Sequence, residues 1–294
     1  MAFQGELAAL ATALCWAATG LFFTEAARRI GAVAVNLLRL PIAWVLLSAA
    51  LALTGTPFAG LDGQRVTLLA LSGLLGLTLG DLALFRAMVR IGPRLSSLLM
   101  ALAPAFATLA GAVLLGERPG AREAIGMAVT LAGVVWVLSE RRGGGAWTPD
   151  RGGAIALAVF AAACQGIGLV LAKWGMAGVV APLAATWVRM GVATVGMLAL
   201  AAGARQLALP SLVSAARGAA GPVLGGAIFG PFVGVWLSLV AARHADIGVA
   251  ATLMATTPVL IIPLLAWHEG YRPTPRAVLG AAITVAGVAL LFWK

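Results

Sequence analysis

The chain has 294 residues and a formal net charge of +10; 62% of its residues are hydrophobic, only 10% are charged, and its mean hydropathy is +1.02. Soluble globular domains run at about 45–50% apolar and about 25% charged residues, so this chain cannot cover its surface with polar groups. An ordinary soluble domain is therefore excluded, and the composition predicts a protein in the lipid bilayer. The arginines lie in short segments between apolar stretches, which indicates an orientation signal and lipid headgroup contact rather than a nucleic-acid partner.

Ten charge-poor windows of about membrane-spanning length follow one another along the chain. A helix needs about 20 apolar residues to cross the hydrocarbon core. We place the windows at about 5–24, 33–54, 66–86, 95–115, 123–139, 153–173, 182–203, 218–240, 247–267 and 276–293. The predicted fold class is therefore an all-α integral membrane protein with ten transmembrane helices.

The fifth and tenth windows contain similar sequences, VTLAGVVWVL at 129–138 and ITVAGVALLF at 283–292. This similarity indicates a duplication, with a first five-helix repeat over 1–142, a linker over 143–152 and a second repeat over 153–294. The linker has the Gly, Pro and polar composition of a connecting segment. Further matched pairs are Pro104 with Pro258, Gly126 with Gly280, Gly133 with Gly287, Met100 with Met254 and Gly80 with Gly234, all 154 residues apart, and Cys15 with Cys164 and Arg39 with Arg189, 149 and 150 apart.

The odd number of windows in each repeat predicts the geometry of the duplication. A unit of five spans ends on the side of the membrane opposite to where it began, so the second copy is expected to insert upside down. Two inverted copies related by an axis in the membrane plane are a known transporter design. A larger membrane bundle without transport is the alternative interpretation of the same duplication.

Ordered motifs recur in both halves. The first half has Pro104 in its fourth window, then LLGE ending at Glu117 and a last window containing LAGVV. The second half has Pro258, then WHE ending at Glu269 and a last window containing VAGVA. An arginine lies early in the second window of each half, in NLLRLP and TWVRMG. Over essentially its whole length the chain resembles the drug/metabolite transporter superfamily, in its ten-span EamA-type branch.

This resemblance implies export or exchange of small metabolites, most often amino acids including aromatic ones, across the bacterial inner membrane. It also implies that both termini are cytoplasmic. The arginine distribution points the other way, because the loops after the odd-numbered windows hold most of the arginines. By the positive-inside rule these loops would be cytoplasmic and both termini outside. The related four-span multidrug exporters carry a membrane-embedded Glu in their first span. The matching stretches here, ALCWAATG and AAACQGIG, have no carboxylate, which disfavours proton-coupled export of cations.

Three charged residues are candidates for the transport site or for a charged gate, because charge inside a membrane helix is costly unless it faces protein or water. Asp81 is the only carboxylate well inside a window, and it could bind an ammonium group or take up a proton. A structural salt bridge to Arg39 or Arg86 is the alternative. Arg39 and Arg189 could bind a carboxylate through paired hydrogen bonds, or could instead anchor a helix end to headgroups or to a neighbouring helix.

Aromatic and polar residues near the window centres complete the candidate substrate site. Trp16 and Gln165 follow the two cysteines at corresponding positions, Thr19 is one turn from Trp16, and Phe85 is one turn from Asp81. Gly and Pro in GGAIFGPFVGVWLS predict a weakened helix, as found at transporter binding sites. Lipid contact and ordinary helix packing are the alternatives for these residues. The remaining candidates are Thr78, Met100, Phe229, Trp236, Thr252 and Thr256.

Other functional classes lack their sequence signatures. His244 and His268 do not have metalloprotease spacing, and the chain has no P-loop, so we expect neither an enzyme nor an ATP-driven pump, and no cofactor or bound metal. A channel filter sequence is also missing. We therefore predict a secondary carrier with a small-molecule substrate, for which a monomer is sufficient. The second hypothesis is a carrier of phosphorylated, sugar or other anionic metabolites that contacts them through Arg39, Arg189 and Lys173.

Overall fold

The computed structural model describes residues 3–139, 151–203, 217–269 and 274–292, and within these ranges the chain is helical, with short connecting turns and no strand. Most of the predicted linker 143–152 lies outside the described residues. The helices of the first part are α1 (Gln4–Ile30), α2 (Ala32–Thr54), α3 (Gly63–Ser72), a first π-helical segment π1 (Gly73–Gly80), α4 (Asp81–Met100), α5 (Ala103–Leu114) and α6 (Ala121–Leu138). Those that follow are α7 (Arg151–Met176), α8 (Pro182–Gly203), α9 (Ala220–Ala227), a second π-helical segment π2 (Ile228–Gly234), α10 (Val235–His244), α11 (Ile247–Met254), α12 (Thr257–Glu269) and α13 (Pro275–Phe292).

Among the described residues, eight helical stretches are long and apolar enough to cross a membrane. They coincide with eight of the ten predicted windows, all except the fourth and fifth. The fourth window is divided between the end of α4 and the 12-residue helix α5. Residues 87–94, which separate the third and fourth windows, do not form a loop: α4 continues through Pro93, since a proline can kink a helix without ending it. The ten-span count stays a prediction.

Backbone irregularities recur at the spacing of the sequence repeat. The segments π1 and π2 both end on a glycine, Gly80 and Gly234, 154 residues apart. A break at 101–102 separates α4 from α5, and a break at 255–256 separates α11 from α12. Pro104 and Pro258 are the second residues of the helices after these breaks, where a missing N–H costs nothing because first-turn N–H groups have no helical partner.

The contacts between helices are reciprocal. Helix α1 of the first half packs against α9, π2 and α10 of the second half, and helix α7 of the second half packs against α3, π1 and α4 of the first half. The segment π1 also contacts α8, as π2 contacts α2. The long helices α2 and α8 pack against each other, as do α6 and α13. Most of the packing therefore joins one half of the chain to the other.

The two similar sequences of the fifth and tenth windows face each other across the α6–α13 contact. A Cβ at Gly133 would lie 2.8 Å from the carbonyl oxygen of Gly280, and a Cβ at Gly287 would lie 2.8 Å from the Cα of Thr130. Only glycine allows the backbones this approach, and small residues commonly form such contacts between membrane helices. Large apolar side chains such as Leu53 lie on the outside, as expected of a protein in lipid.

Candidate functional site

The irregular segment π1 carries the central polar residues. A π-helix has i→i+5 hydrogen bonds, is rare, and often occurs at functional sites. Gly73 permits close packing here, because a Cβ on it would lie 3.0 Å from the Cα of Arg189 in α8. Asp81 follows π1 directly, and its backbone N–H still donates to the carbonyl of Thr78. The glycine-rich sequence therefore brings α7 and α8 close to the start of α4.

Asp81 forms an ion pair with Arg39 of α2, and each side chain is 11% exposed. Gln165 of α7 donates from Nε2 to Oδ1 of Asp81 at 2.8 Å and to the carbonyl oxygen of Gly76 at 3.1 Å. Arg39 also donates from Nε to Oδ1 of Asn36 at 2.7 Å. The salt bridge to Arg39, one of the two interpretations of Asp81, is therefore present, and both carboxylate oxygens have partners.

Two aromatic rings flank the guanidinium of Arg39. Its Cζ atom lies 5.6 Å from the ring centre of Phe23 and 5.3 Å from that of Phe85. Both distances are within the range of cation–π attraction, which is stronger where water is excluded. Phe85 thus lies next to the charged pair, and its role in substrate binding stays a prediction.

Arg189 is the second buried arginine of this cluster. Only 4% of the residue is exposed, and Nε and Nη1 of its guanidinium have no hydrogen-bond partner among the described residues. It lies within electrostatic range of Asp81, whose oxygens are already bonded to Arg39 and Gln165. We call Arg39, Asp81, Gln165 and Arg189 the central cluster. Two cationic groups and one anionic group give it a formal excess of one positive charge.

A more apolar group of candidates lies where α1 meets π2. A Cβ at Gly234 would lie 2.8 Å from Nε1 of Trp16, and a Cβ at Gly230 would lie 2.9 Å from Cγ2 of Thr19. The ring of Phe229 stacks on that of Phe22, with 5.9 Å between centroids and 4° between planes. Trp16 and Thr19 therefore pack against π2, as Gln165 packs against π1.

The other candidates are buried or partly buried. Thr78 is buried and donates to the carbonyl oxygen of Ala193 at 3.3 Å, and Trp236 packs on the hydrophobic core. Thr256 donates to the carbonyl oxygen of Leu253 at 2.7 Å. Thr252 is fully buried, and its hydroxyl has no partner among the described residues. Met100 is the last residue of α4 and is partly buried.

Sequence reasoning missed a polar contact between the halves, at the end of α7. Lys173 forms an ion pair with Oε1 of Glu117 at 2.5 Å and donates to the carbonyl oxygen of Ala245 at 2.6 Å. The other oxygen of Glu117 accepts the backbone N–H of Ile247 at 2.6 Å, which caps α11. Glu117 was visible as a motif residue, but its partners are 56 and 130 positions away. The matching Glu269 has no described side chain.

Carboxylates surround the residue just before α11. Burial raises the pKa of Asp246, and the nearby carboxylates of Glu117, Glu123 and Glu6 also raise it, whereas Lys173 lowers it. Acidic side chains are thus concentrated between the ends of α1, α5 and α10. In the part of the chain that the structure describes, no group of three His, Cys, Asp or Glu residues is placed to hold a metal ion.

Comparison with known proteins identifies the family. The sequence pattern of the EamA-like transporter family matches the chain twice, over residues 3–139 and 152–293. The chain belongs to the EamA-like transporter family. This membership confirms the resemblance to the drug/metabolite transporter superfamily. The chain is therefore a multi-pass membrane transporter of small molecules and not an enzyme.

Individual relatives agree with this membership. The chain is 28% identical over 272 residues to a probable terminal-alkyne amino-acid exporter of Streptantibioticus cattleyicolor, covering 89% of this chain and 84% of the relative. It is also similar to a solved crystal structure at 22% identity, with a TM-score of 0.79, over 99% of this chain and 96% of that one. The similarity to the crystal structure shows the fold alone.

Proposed function

We propose that this EamA-like transporter exports amino acids, including large apolar and aromatic ones, across the bacterial inner membrane. The central cluster is the observation that supports this substrate class best. It holds both signs of charge between membrane helices, and aromatic rings lie beside it. Charged groups at such depth are typical of substrate pathways. The relative named as an amino-acid exporter supports the same class.

We also propose that transport occurs by alternating access between two inverted five-helix repeats. The recurrence of the π-helical segments and helix breaks at one spacing supports this arrangement, as do the reciprocal contacts of α1 and α7. Inverted copies have two states of similar energy that face opposite sides of the membrane. A central site would then open first to one side and afterwards to the other.

Uptake into proteoliposomes tests the substrate class. Purified protein is reconstituted without an ion gradient, and a panel of radiolabelled amino acids is offered, with protein-free liposomes as the blank. We expect saturable uptake of several amino acids, highest for leucine, phenylalanine and tryptophan. Absence of uptake of any amino acid, both without a gradient and with an imposed pH gradient, would contradict the proposal.

A carrier of anionic metabolites is the second candidate, because the central cluster has an excess of positive charge. Two arginines against one carboxylate suit a solute whose net charge is negative. The same liposomes separate the two candidates when glucose 6-phosphate replaces the amino acids. Saturable uptake of the sugar phosphate alone would favour the second candidate.

A further inference from the structure

Arg189 is a buried cation with unused hydrogen-bonding capacity. Its Nε and Nη1 atoms have no partner among the described residues, although the residue is 96% buried. Each of these nitrogens forms, together with Nη2, one of the two edges by which a guanidinium binds a carboxylate. A buried charge without partners is costly, and buried polar groups are as a rule hydrogen-bonded. The free nitrogens therefore indicate that an anionic group of a ligand belongs at this position.

The internal repeat explains why the described residues supply no such group. Arg39 and Arg189 occupy corresponding positions on the paired helices α2 and α8. Arg39 has the carboxylate of Asp81, whereas the residue 154 positions after Asp81 is Val235, which is buried. The second half thus keeps the arginine and replaces the carboxylate by an apolar side chain. A free solute carboxylate would restore the missing pair.

A hydrogen-bond acceptor lies close to the same point. A Cβ at Gly76 would be 3.6 Å from Nη2 of Arg189 and 3.7 Å from Oε1 of Gln165, so both atoms face this glycine. The amide nitrogen of Gln165 is fixed by its donations to Asp81 and to the Gly76 carbonyl. Its Oε1 atom is thereby directed away from Asp81, and no described residue donates to it. A cationic donor beside a bound carboxylate would find its acceptor here.

We propose that Arg189 and Gln165 form the site for the head group of an α-amino acid, next to π1. Arg189 binds the carboxylate through its guanidinium, and Oε1 of Gln165 accepts a hydrogen bond from the ammonium group. The ion pair of Asp81 and Arg39 positions Gln165 and does not itself hold the carboxylate. This inference rests on the proposed function, since it assigns the residues that recognise the substrate class.

Three solutes test the assignment, because each has a different part of the head group. Phenylalanine has the carboxylate and the ammonium group, phenylalaninamide lacks the carboxylate, and 3-phenylpropionate lacks the ammonium group. We expect Arg189→Gln to raise the KM for phenylalanine by about 10- to 100-fold, as loss of a hydrogen bond between charged groups predicts. The KM for phenylalaninamide should change less than about threefold. Arg189→Lys keeps the charge but not the planar fork, so its effect should be intermediate.

A binding measurement separates this inference from the proposed function. In detergent, 3-phenylpropionate should raise the unfolding temperature of the wild type and not that of Arg189→Gln, as mass action requires of a ligand that binds the folded state. The control variant is Val195→Ala, on the same helix but 66% exposed. If the wild type carries no amino acid, the proposed function fails, and the shift with 3-phenylpropionate still decides whether Arg189 binds a carboxylate.

Equal effects of Arg189→Gln on phenylalanine and phenylalaninamide would overturn the assignment, since they would indicate a structural role alone. An unchanged KM for phenylalanine would overturn it as well. If Arg189→Gln does not fold, Arg189→Lys is compared on the same two solutes. A larger rise in KM for phenylalanine than for its amide supports the proposal there, and equal changes contradict it.

Discussion

The contact of Glu117 with Lys173 joins the two halves of the chain. Its removal should lower the free energy of unfolding by an amount that depends on which of the two residues is substituted. Lys173→Met removes the ion pair and the hydrogen bond to the carbonyl oxygen of Ala245, but it keeps a side chain of similar length and leaves Glu117 bonded to the N–H of Ile247. Glu117→Ala removes the ion pair and the cap of α11 together, and leaves Lys173 with the carbonyl oxygen of Ala245. The glutamate substitution should therefore cost more free energy of unfolding than the lysine substitution.

The burial of the Glu117–Lys173 pair sets the size of the expected loss of unfolding free energy. The two side chains are 20% and 16% exposed, between the surface pairs that contribute about 0–1 kcal/mol and the buried pairs whose breakage costs about 3–5 kcal/mol. Loss of the hydrogen bond from the first N–H of α11 adds about 1 kcal/mol. We expect a loss of about 1–2 kcal/mol for Lys173→Met and about 2–3 kcal/mol for Glu117→Ala. The coupling energy of the double-mutant cycle should be about 1–2 kcal/mol.

Unfolding by SDS in mixed micelles, followed by tryptophan fluorescence, measures these differences. The matched control is the pair Glu25 and Arg29 on α1, whose side chains are 44% and 50% exposed, and its cycle should give less than about 0.5 kcal/mol. Equal losses for Lys173→Met and Glu117→Ala, or a coupling energy no larger than that of the control pair, would refute the assignment of both contacts to Glu117.

Three further outcomes follow from the described contacts. Asp81→Asn should cost about 3 kcal/mol of unfolding free energy, because Arg39 remains buried without its counter-ion. The double variant with Arg39→Gln should recover part of this loss, and no recovery would contradict the pairing. Asp246 has a raised pKa, so its ionisation destabilises the folded state above that pKa. Asp246→Asn should therefore raise the unfolding temperature at pH 7.5. The difference in unfolding temperature between variant and wild type should disappear as the pH falls towards 3.8, the ordinary pKa of an aspartate. A benefit that persists at that acidic pH would contradict the explanation. Gly133→Ala should abolish the monodisperse peak in size-exclusion chromatography, because the facing helix occupies the position of the added Cβ. Gly152→Ala should keep the peak, because a Cβ at Gly152 meets open space. Similar profiles for both variants would contradict the packing.

Periodicity and composition predict the parts of the fold that depend on local sequence. Eight of the ten windows coincide with helical stretches of spanning length, and the predicted weakening around Pro231 is observed as π2. The matching segment π1 was not predicted, although Gly76 and Gly80 correspond to Gly230 and Gly234. Proline predicts an irregular helix because it lacks an N–H donor, whereas glycine without proline is common in regular membrane helices, where it allows close packing.

The site is harder to predict, because its residues meet only through packing. The sequence left Asp81 with two possible salt-bridge partners, and the structure pairs it with Arg39. The unused nitrogens of Arg189 could not be predicted from the sequence, since they depend on which acceptors the packed helices bring near the guanidinium. Asn36 has a local signal, because it precedes Arg39 by one helical turn, but that spacing is too common to be informative.

The duplicated backbone and the chemistry placed on it differ in symmetry. Both halves have a π-helical segment against the first long helix of the other half. On one side Gln165 faces π1, near the two arginines; on the other, Trp16 faces π2, in which the ring of Phe229 stacks on Phe22. A symmetric frame thus presents one polar and one aromatic surface. That division suits a solute with a charged head group and an apolar side chain, and it would let one scaffold change its substrate through substitutions in a single half.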